Sequence, residues 1–344
     1  MKITYKEPEP QKKLDDWAYF EAEEPFNWRA YNNSQTREKI IFLSLLKELC
    51  HLANVDTYAG SGRRPQEAGK MILCMCIKVY TSLGSRRLLP ELELLKDKYL
   101  PMGTIPHFNT ICNYFGLSCL TKWLKQLIEL SALPLAQLEK KFAIDSTGFS
   151  ERKYLEKWSS VRQKYSMHQQ YRKAHCVCGT FTNIITSIIA TKGNEADSPQ
   201  FIELLKQTAD NFNVEQVTAD KAYSSRENLQ YASDLNITPF IPFKNNARGL
   251  SKGAPAWNKM FRYFKDHPED FYKNYHARSN VESTFFMIKQ RFGDYLMFKD
   301  PVAQTNEILC KALCHNLCVL AQELYLSNIE INFKNCASTM IAHE

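Results

Sequence analysis

A chain of 344 residues, 44 % hydrophobic and 12 % aromatic, has the composition of a folded protein with room for two domains, which excludes disordered and fibrous classes. No run of about 18 uncharged apolar residues occurs; the nearest, Ile72 to Leu83, holds Lys78. The opening MKITYKEPEPQKK lacks the apolar stretch of a signal peptide, so a soluble intracellular protein with no membrane partner is expected.

In chain order, residues 1–35 are polar and aromatic without a steady period and read as a surface arm. A helical pattern follows to about Ala132. Its segments are Thr36–Ala53, Pro65–Leu83, Ser85–Leu95 with a break or restart at Pro90, Pro106–Leu117 and Ser118–Leu130. Short helices with tight connections suit a helix-turn-helix reader of DNA, for which Arg63, Arg64, Arg86 and Arg87 offer phosphate contacts. The period changes after Pro134. Lys141–Asp145 reads as a strand ending in an acid, and Ala174–Gly179 with Asn183–Ala190 as a hairpin. Then come a helix Asp197–Asn211, a strand Val214–Ala219, a helix Ser224–Leu235 and a strand Ile237–Pro242. Helices over Pro255–Phe264, Pro268–Phe292 and Pro301–Leu326 complete the pattern. Paired strands followed by strands alternating with helices predict a mixed α/β sheet flanked by helices. The expected units are a helical DNA-binding domain at 1–135 with its arm, a catalytic domain at 136–326 and a tail at 327–344.

Eleven cysteines invite a metal reading, but none form a C-x-x-C pair. Cys310, Cys314 and Cys318 recur every four residues beside His315; this is either a zinc site or, the better reading, a buried stripe of small apolar side chains. The net charge of +7 is unevenly placed. Residues 151–175 carry seven Lys and Arg, Arg162, Lys164 and Lys173 among them, against two acids, with Tyr154, Trp158, Tyr165 and Tyr171 interleaved. Residues 244–265 hold Lys244, Arg248, Lys252, Lys259, Arg262 and Lys265 without an acid. Basic segments with interleaved aromatics suit a phosphate backbone and stacked bases.

Two acids stand at predicted strand ends, Asp145 and Asp220, where ligands gather in α/β sheets. Tyr275, Arg278, Glu282 and Lys289 fall within a sector of roughly 60° on one helix, at about 100° per residue. Beside them lies the apolar stripe Val281, Phe285, Ile288 and Phe292. A salt-bridge ladder is the plain alternative, since Arg278 and Glu282 are i,i+4 partners. The spacing Tyr275-x2-Arg278-x3-Glu282-x6-Lys289 resembles the Y-R-E-K signature of insertion-sequence transposases in the groups numbered four and five. Ala143-Ile-Asp145-Ser-Thr resembles their first-aspartate strand and Ala219-Asp220-Lys-Ala-Tyr223 their second. Lys173-Ala-His175 and Gly193-Asn-Glu-Ala-Asp197-Ser198 resemble stretches that recur between the two, so the likeness covers about 136–320.

The resemblance implies an RNase H-like catalytic domain in which Asp145, Asp220 and Glu282 are both the catalytic residues and the ligands of a pair of magnesium ions, with manganese able to substitute. It implies nicking at the ends of an element and joining of the 3′-hydroxyls to target DNA. Tyr275, Arg278 and Lys289 would hold that DNA, with Lys173, Arg162 and Lys164 as further contacts. The partners implied are double-stranded DNA, as element ends and target, and further copies of the chain in a dimer or larger end complex. The setting implied is a prokaryotic cytoplasm, at the nucleoid. Only 62 positions separate Asp220 from Glu282, too few for the all-β insertion some members carry there. That leaves a hairpin route in doubt: Trp257 or Trp158 could stand in for that insertion's aromatic, but core packing is the better reading of each. A domesticated DNA-binding relative and a nuclease of the same fold are the competing readings.

Overall fold

The computed structural model describes residues 26–53, 66–97, 103–151, 171–249 and 252–336. Arg63, Arg64, Trp158, Arg162 and Lys164, together with most of the expected arm and of the first basic segment, lie outside the described residues.

The chain's helices α1 (Trp28–Leu52), α2 (Ala68–Thr81), α3 (Ser85–Lys96), α4 (Phe108–Phe115) and α5 (Ser118–Ala132) precede a five-stranded sheet. α1 begins inside the expected arm because the Asn27 side chain caps it, accepting from the Ala30 N–H at 3.0 Å. α3 runs straight through Pro90, held by Leu88, Leu92 and Leu95, which the helix buries on one face. Strands β1 (Lys141–Ser150), β2 (Tyr171–Gly179), β3 (Ile185–Lys192), β4 (Gln216–Ala219) and β5 (Thr238–Phe240) stand in the order β3-β2-β1-β4-β5. β1 pairs antiparallel with β2 and parallel with β4, so the sheet is mixed as its pattern predicts. β4 is buried along its length, as a strand covered on both faces should be. β5 sits at the edge, where Pro239 costs no inner ladder bond.

Two larger departures from the sequence expectation lie near the acids. β1 does not end at Asp145. Its parallel partner β4 stops at the rung Ile144↔Ala219, but β2 continues to pair with it from Asp145↔Cys176 to Ser150↔Tyr171 and keeps the strand extended. The expected helix 268–292 is in three pieces: α9 (Pro268–Tyr275), a 3-10 turn at His276–Arg278, and α10 (Ser279–Phe292). The remaining helices are α6 (Phe201–Ala209), α7 (Arg226–Asp234), α8 (Pro255–Asp266) and α11 (Pro301–Leu326).

α11 is buried nearly all round, its apolar run packed in the core and its buried polar side chains hydrogen-bonded there, and it joins the two halves of the chain. Its Asn306 amide donates to the carbonyls of Phe115 (2.7 Å) and Leu117 (3.1 Å), satisfying the end of α4. Its Asn316 amide donates to Ser131 Oγ and the Ile185 carbonyl and accepts from the Ile185 N–H, tying α5 to the sheet edge. The N-terminal helices and the sheet thereby share one buried core. Cys310 and Cys314 lie inside it, and His315 Nε2 is 2.9 Å from the Asn183 carbonyl. Among the described residues no helix is long and apolar enough to cross a membrane.

The β2–β3 turn is braced from outside the hairpin. Buried Glu139 accepts from the Thr182 N–H (2.6 Å), the Thr182 hydroxyl (2.7 Å) and the Phe181 N–H (3.2 Å). Gly179 lets it approach, because a Cβ there would sit 2.2 Å from the carboxyl carbon. Glu139→Ala leaves those buried donors without acceptors and is expected to lower stability by about 2 kcal/mol, read as a lower urea midpoint at unchanged slope; an unchanged midpoint would show that water replaces the carboxylate.

Candidate active site

The parallel ladder brings the two aspartates together. Ile144 and Ala219 are its last partners, so Asp145 and Asp220 follow side by side at the carboxyl end of β4. There the strand stops, and Asp220 opens a 3-10 turn at Lys221–Tyr223. Glu282 comes from the first turn of α10, which packs on β1 and β2. Arg278 joins the set: its Nη1 donates to Asp145 Oδ2 at 2.7 Å and its Nη2 to Glu282 Oε1 at 2.5 Å. One guanidinium therefore spans a carboxylate of the sheet and a carboxylate of the helix.

The 3-10 turn contributes to this arrangement. At three residues per turn it sets residues i and i+3 in line, and the Arg278 guanidinium lies 5.7 Å from the centre of the Tyr275 ring. Burial raises the Tyr275 hydroxyl above the ordinary tyrosine range, Arg278 opposing and Asp220 and Asp145 adding to the rise. Burial likewise raises the Asp145 carboxyl. The Ser146 N–H, at 2.8 Å, and Arg278 pull the other way, while Asp220 and Glu282 push it further up. Asp145 thus lies close enough to Asp220 and Glu282 to feel the charge of both.

Lys289 lies two turns further along α10, its ammonium 5.6 Å from the centre of the buried Phe149 ring of β1. Burial lowers its pKa, with Asp294 opposing. Lys311 of α11 packs on the same ring at 5.1 Å and donates to the carbonyls of Gly293 and Tyr295. That fixes the end of α10 against β1.

Of the other expected contacts, Lys173 lies on β2 and is engaged within the fold: its ammonium is 2.9 Å from Asp197 Oδ1 and 3.1 Å from the Glu195 carbonyl. Trp257 is buried and donates its indole N–H to the Arg248 carbonyl at 2.8 Å. The second basic stretch follows the β5 edge, where Lys259 and Arg262 line an open cleft of about 810 Å³ between α7, β5 and α8.

Sequence reasoning missed the role of Asp197. Its Oδ1 accepts from Ser146 Oγ at 3.0 Å and from Lys173, and lies 3.4 Å from His175 Nδ1. His175 is fully buried, with Nε2 2.9 Å from Thr191 Oγ1, and burial pushes its pKa down to about 4. This neutral histidine and its acid brace the residue after Asp145 from the opposite face of the sheet. The only sequence signal was Asp197's place in the Gly193–Ser198 stretch.

Carboxylate oxygens are the hard donors a divalent cation of the magnesium class prefers, and two of the three acids already share a cationic group in Arg278. The donor set fits such a cation. With the guanidinium between Asp145 and Glu282, no group of three or more acids, histidines or cysteines among the described residues has metal-holding geometry.

Acids that follow the last rung of a parallel ladder, with a third on a helix across them, define a carboxylate-centred α/β site. Residues 136–317, just over half the chain, match the family described as the transposase DDE domain, and the chain belongs to that family. No curated protein matches it. Among solved structures it is similar to the piggyBac transposase in its synaptic complex with hairpin DNA, at 11 % identity and a TM-score of 0.40, over 90 % of this chain and 80 % of that one. It is also similar to a chain of the simian T-cell lymphotropic virus intasome in complex with PP2A regulatory subunit B56 gamma. There the identity is 18 % and the TM-score 0.23, over 61 % of this chain and 65 % of that one.

Proposed function

We propose that the chain is an insertion-sequence transposase of the Y-R-E-K kind that nicks the ends of its element and joins the freed 3′-hydroxyls to target DNA. Asp145, Asp220 and Glu282 are its catalytic carboxylates. The observation that carries the proposal is the Arg278 bridge from Asp145 to Glu282 beside Asp220, inside the segment that matches the family. In this reading 136–326 is an RNase H-like catalytic unit, 1–135 is the helical part that reads DNA, and 327–344 is a tail.

The three carboxylates would hold a pair of magnesium ions, or manganese in their place, which supplies Lewis-acid stabilisation to the attacking and leaving oxygens of an in-line displacement at phosphorus. Water is the first nucleophile, breaking the phosphodiester to leave a 3′-hydroxyl and a 5′-phosphate; that hydroxyl is the second, attacking a phosphate of target DNA and expelling the target strand's own 3′-oxygen as a hydroxyl. Only the nucleophile changes, so one site serves both steps. Arg278 is placed to turn from the carboxylates to a phosphate oxygen beside the reacting bond. Lys289 of α10 adds a second positive charge, and Tyr275 orients the guanidinium through its ring. The assembly is a dimer or larger, pairing two element ends, and works at the nucleoid of a prokaryotic cell.

The DNA flanking the coding region supplies the substrate. Duplexes carrying its inverted repeats are expected to be nicked with magnesium or manganese, and to be bound but intact in chelator. Binding without nicking under either metal would favour a domesticated DNA-binding relative.

A further inference from the structure

α10 carries an exposed aromatic ring that the catalytic proposal does not use. Phe286 is 63 % exposed, one helical turn after Glu282. At about 100° per residue it falls about 40° from Glu282 and about 60° from Lys289 around the helix, displaced about 6 Å along the axis from the glutamate. The neighbouring residues on this open face are Ser279, Ser283 and Gln290, polar and uncharged, with Met287, 38 % exposed, beside them. Glu282 is the only acid on α10, and Arg278 already binds it, while Lys289 lies close by on the flank. A lone aromatic among hydrogen-bonding side chains, with one thioether beside it and the Lys289 ammonium on its flank, does not make the broad apolar patch that a protein partner covers. It does match the chemistry of an unpaired nucleobase, which offers a π face to the ring and brings its phosphates to the cations.

We propose that Phe286 is a base-stacking residue that receives an unpaired base of the DNA next to the reacting phosphate. The proposal rests on the DNA reading of the site. Stacking replaces the water on both the ring and the base, so it favours DNA that presents a base already free of its partner. Intact duplex gains nothing from the ring, because its bases are stacked on one another.

The test uses the full chain in an Asp145→Asn background, so that cutting cannot consume the probe. The probes are a blunt duplex and the same duplex with a three-nucleotide overhang carrying 2-aminopurine. Phe286→Ala is expected to weaken overhang binding about tenfold, on the scale of one base–aromatic stack, and to leave blunt-duplex binding unchanged. It should also abolish the quenching of 2-aminopurine that the parent shows. Phe286→Trp should restore affinity, with its own indole emission quenched by the overhang. At so exposed a position both variants keep the fold. Equal affinity of Phe286→Ala and its parent for the overhang would overturn the proposal, as would an equal loss on both duplexes. A change of oligomeric state in Phe286→Ala would also overturn it, giving the ring to a second copy of the chain. Continued nicking by Asp145→Asn would instead overturn the catalytic reading, so the two failures are separable.

Discussion

Asp145→Asn is expected to reduce magnesium-dependent nicking by at least about a hundredfold, the scale on which an enzyme loses rate when one charge-stabilising group is removed. Duplex binding should stay nearly unchanged, because the phosphate contacts proposed come from Arg278 and Lys289. The stability of the variant separates loss of chemistry from loss of fold. Burial raises the Asp145 carboxyl above its unfolded value, with Asp220 and Glu282 adding to the rise. For a carboxyl shifted upward, the stabilising contribution is present below the unfolded pKa and is lost as pH rises through the folded one. At neutral pH an ionised Asp145 is therefore a net burden on the fold, and a neutral amide removes it. Arg278 loses one charged partner but keeps Glu282. The melting temperature without divalent cations should hold or rise. Nicking equal to that of the parent protein would remove Asp145 from the site, and a collapse of melting temperature would attribute the loss to unfolding.

Legibility varied with the range of the interaction. Pattern alone gives the mixed sheet and its flanking helices, since alternation and helical period are local properties of the chain. The bounds 301–326 of α11 coincide with those expected, because Pro301 opens the helix and an apolar run sustains it. The end of β1 was not legible: what holds residues 145–150 extended is β2, whose pairing is set 20 or more residues away. The 3-10 turn at His276–Arg278 carries no glycine or proline to announce it. The Tyr275–Glu282 grouping is insensitive to that error, because i,i+3 residues are neighbours in both kinds of helix. Which carboxylate Arg278 reaches across the sheet could not be read from its i,i+4 spacing to Glu282. Nor could the convergence of Ser146, Lys173 and His175 on Asp197, since each of those contacts crosses 22 or more positions. Long-range partner choice is made by packing.

The same limit hid the contact on which the second large effect depends. Arg291, near the end of α10, donates both terminal nitrogens to Glu38 of α1, Nη1 to Oε2 at 2.5 Å, and Tyr80 of α2 donates its hydroxyl to the same carboxylate at 2.8 Å. Tyr80 stacks on Phe42, 4.0 Å between ring centres, and the guanidinium lies 5.1 Å from the Tyr80 ring. The two partners are unequally buried: the Glu38 side chain is 9 % exposed and that of Arg291 37 %. Breaking a buried pair costs about 3–5 kcal/mol because the survivor is left charged and unpaired, so the cost depends on which partner survives. Arg291→Ala leaves the buried carboxylate with the Tyr80 hydroxyl but no counter-charge and is expected to cost about 3 kcal/mol. Glu38→Ala strands a guanidinium that water can reach and should cost about 2 kcal/mol, discounted for that exposure. Replacing both by methionine should recover most of the loss, since apolar packing can match a buried pair. Urea titrations of the three variants decide this, and equal costs for the two single changes would show that exposure does not govern the pair. The consequence reaches the site because α10 carries Glu282 and Lys289 on the turns before Arg291. If α1 and α2 hold that helix in place, Arg291→Ala should lower nicking further than its fraction unfolded accounts for, and the double methionine variant, which restores packing without the fixed geometry, should recover stability ahead of activity.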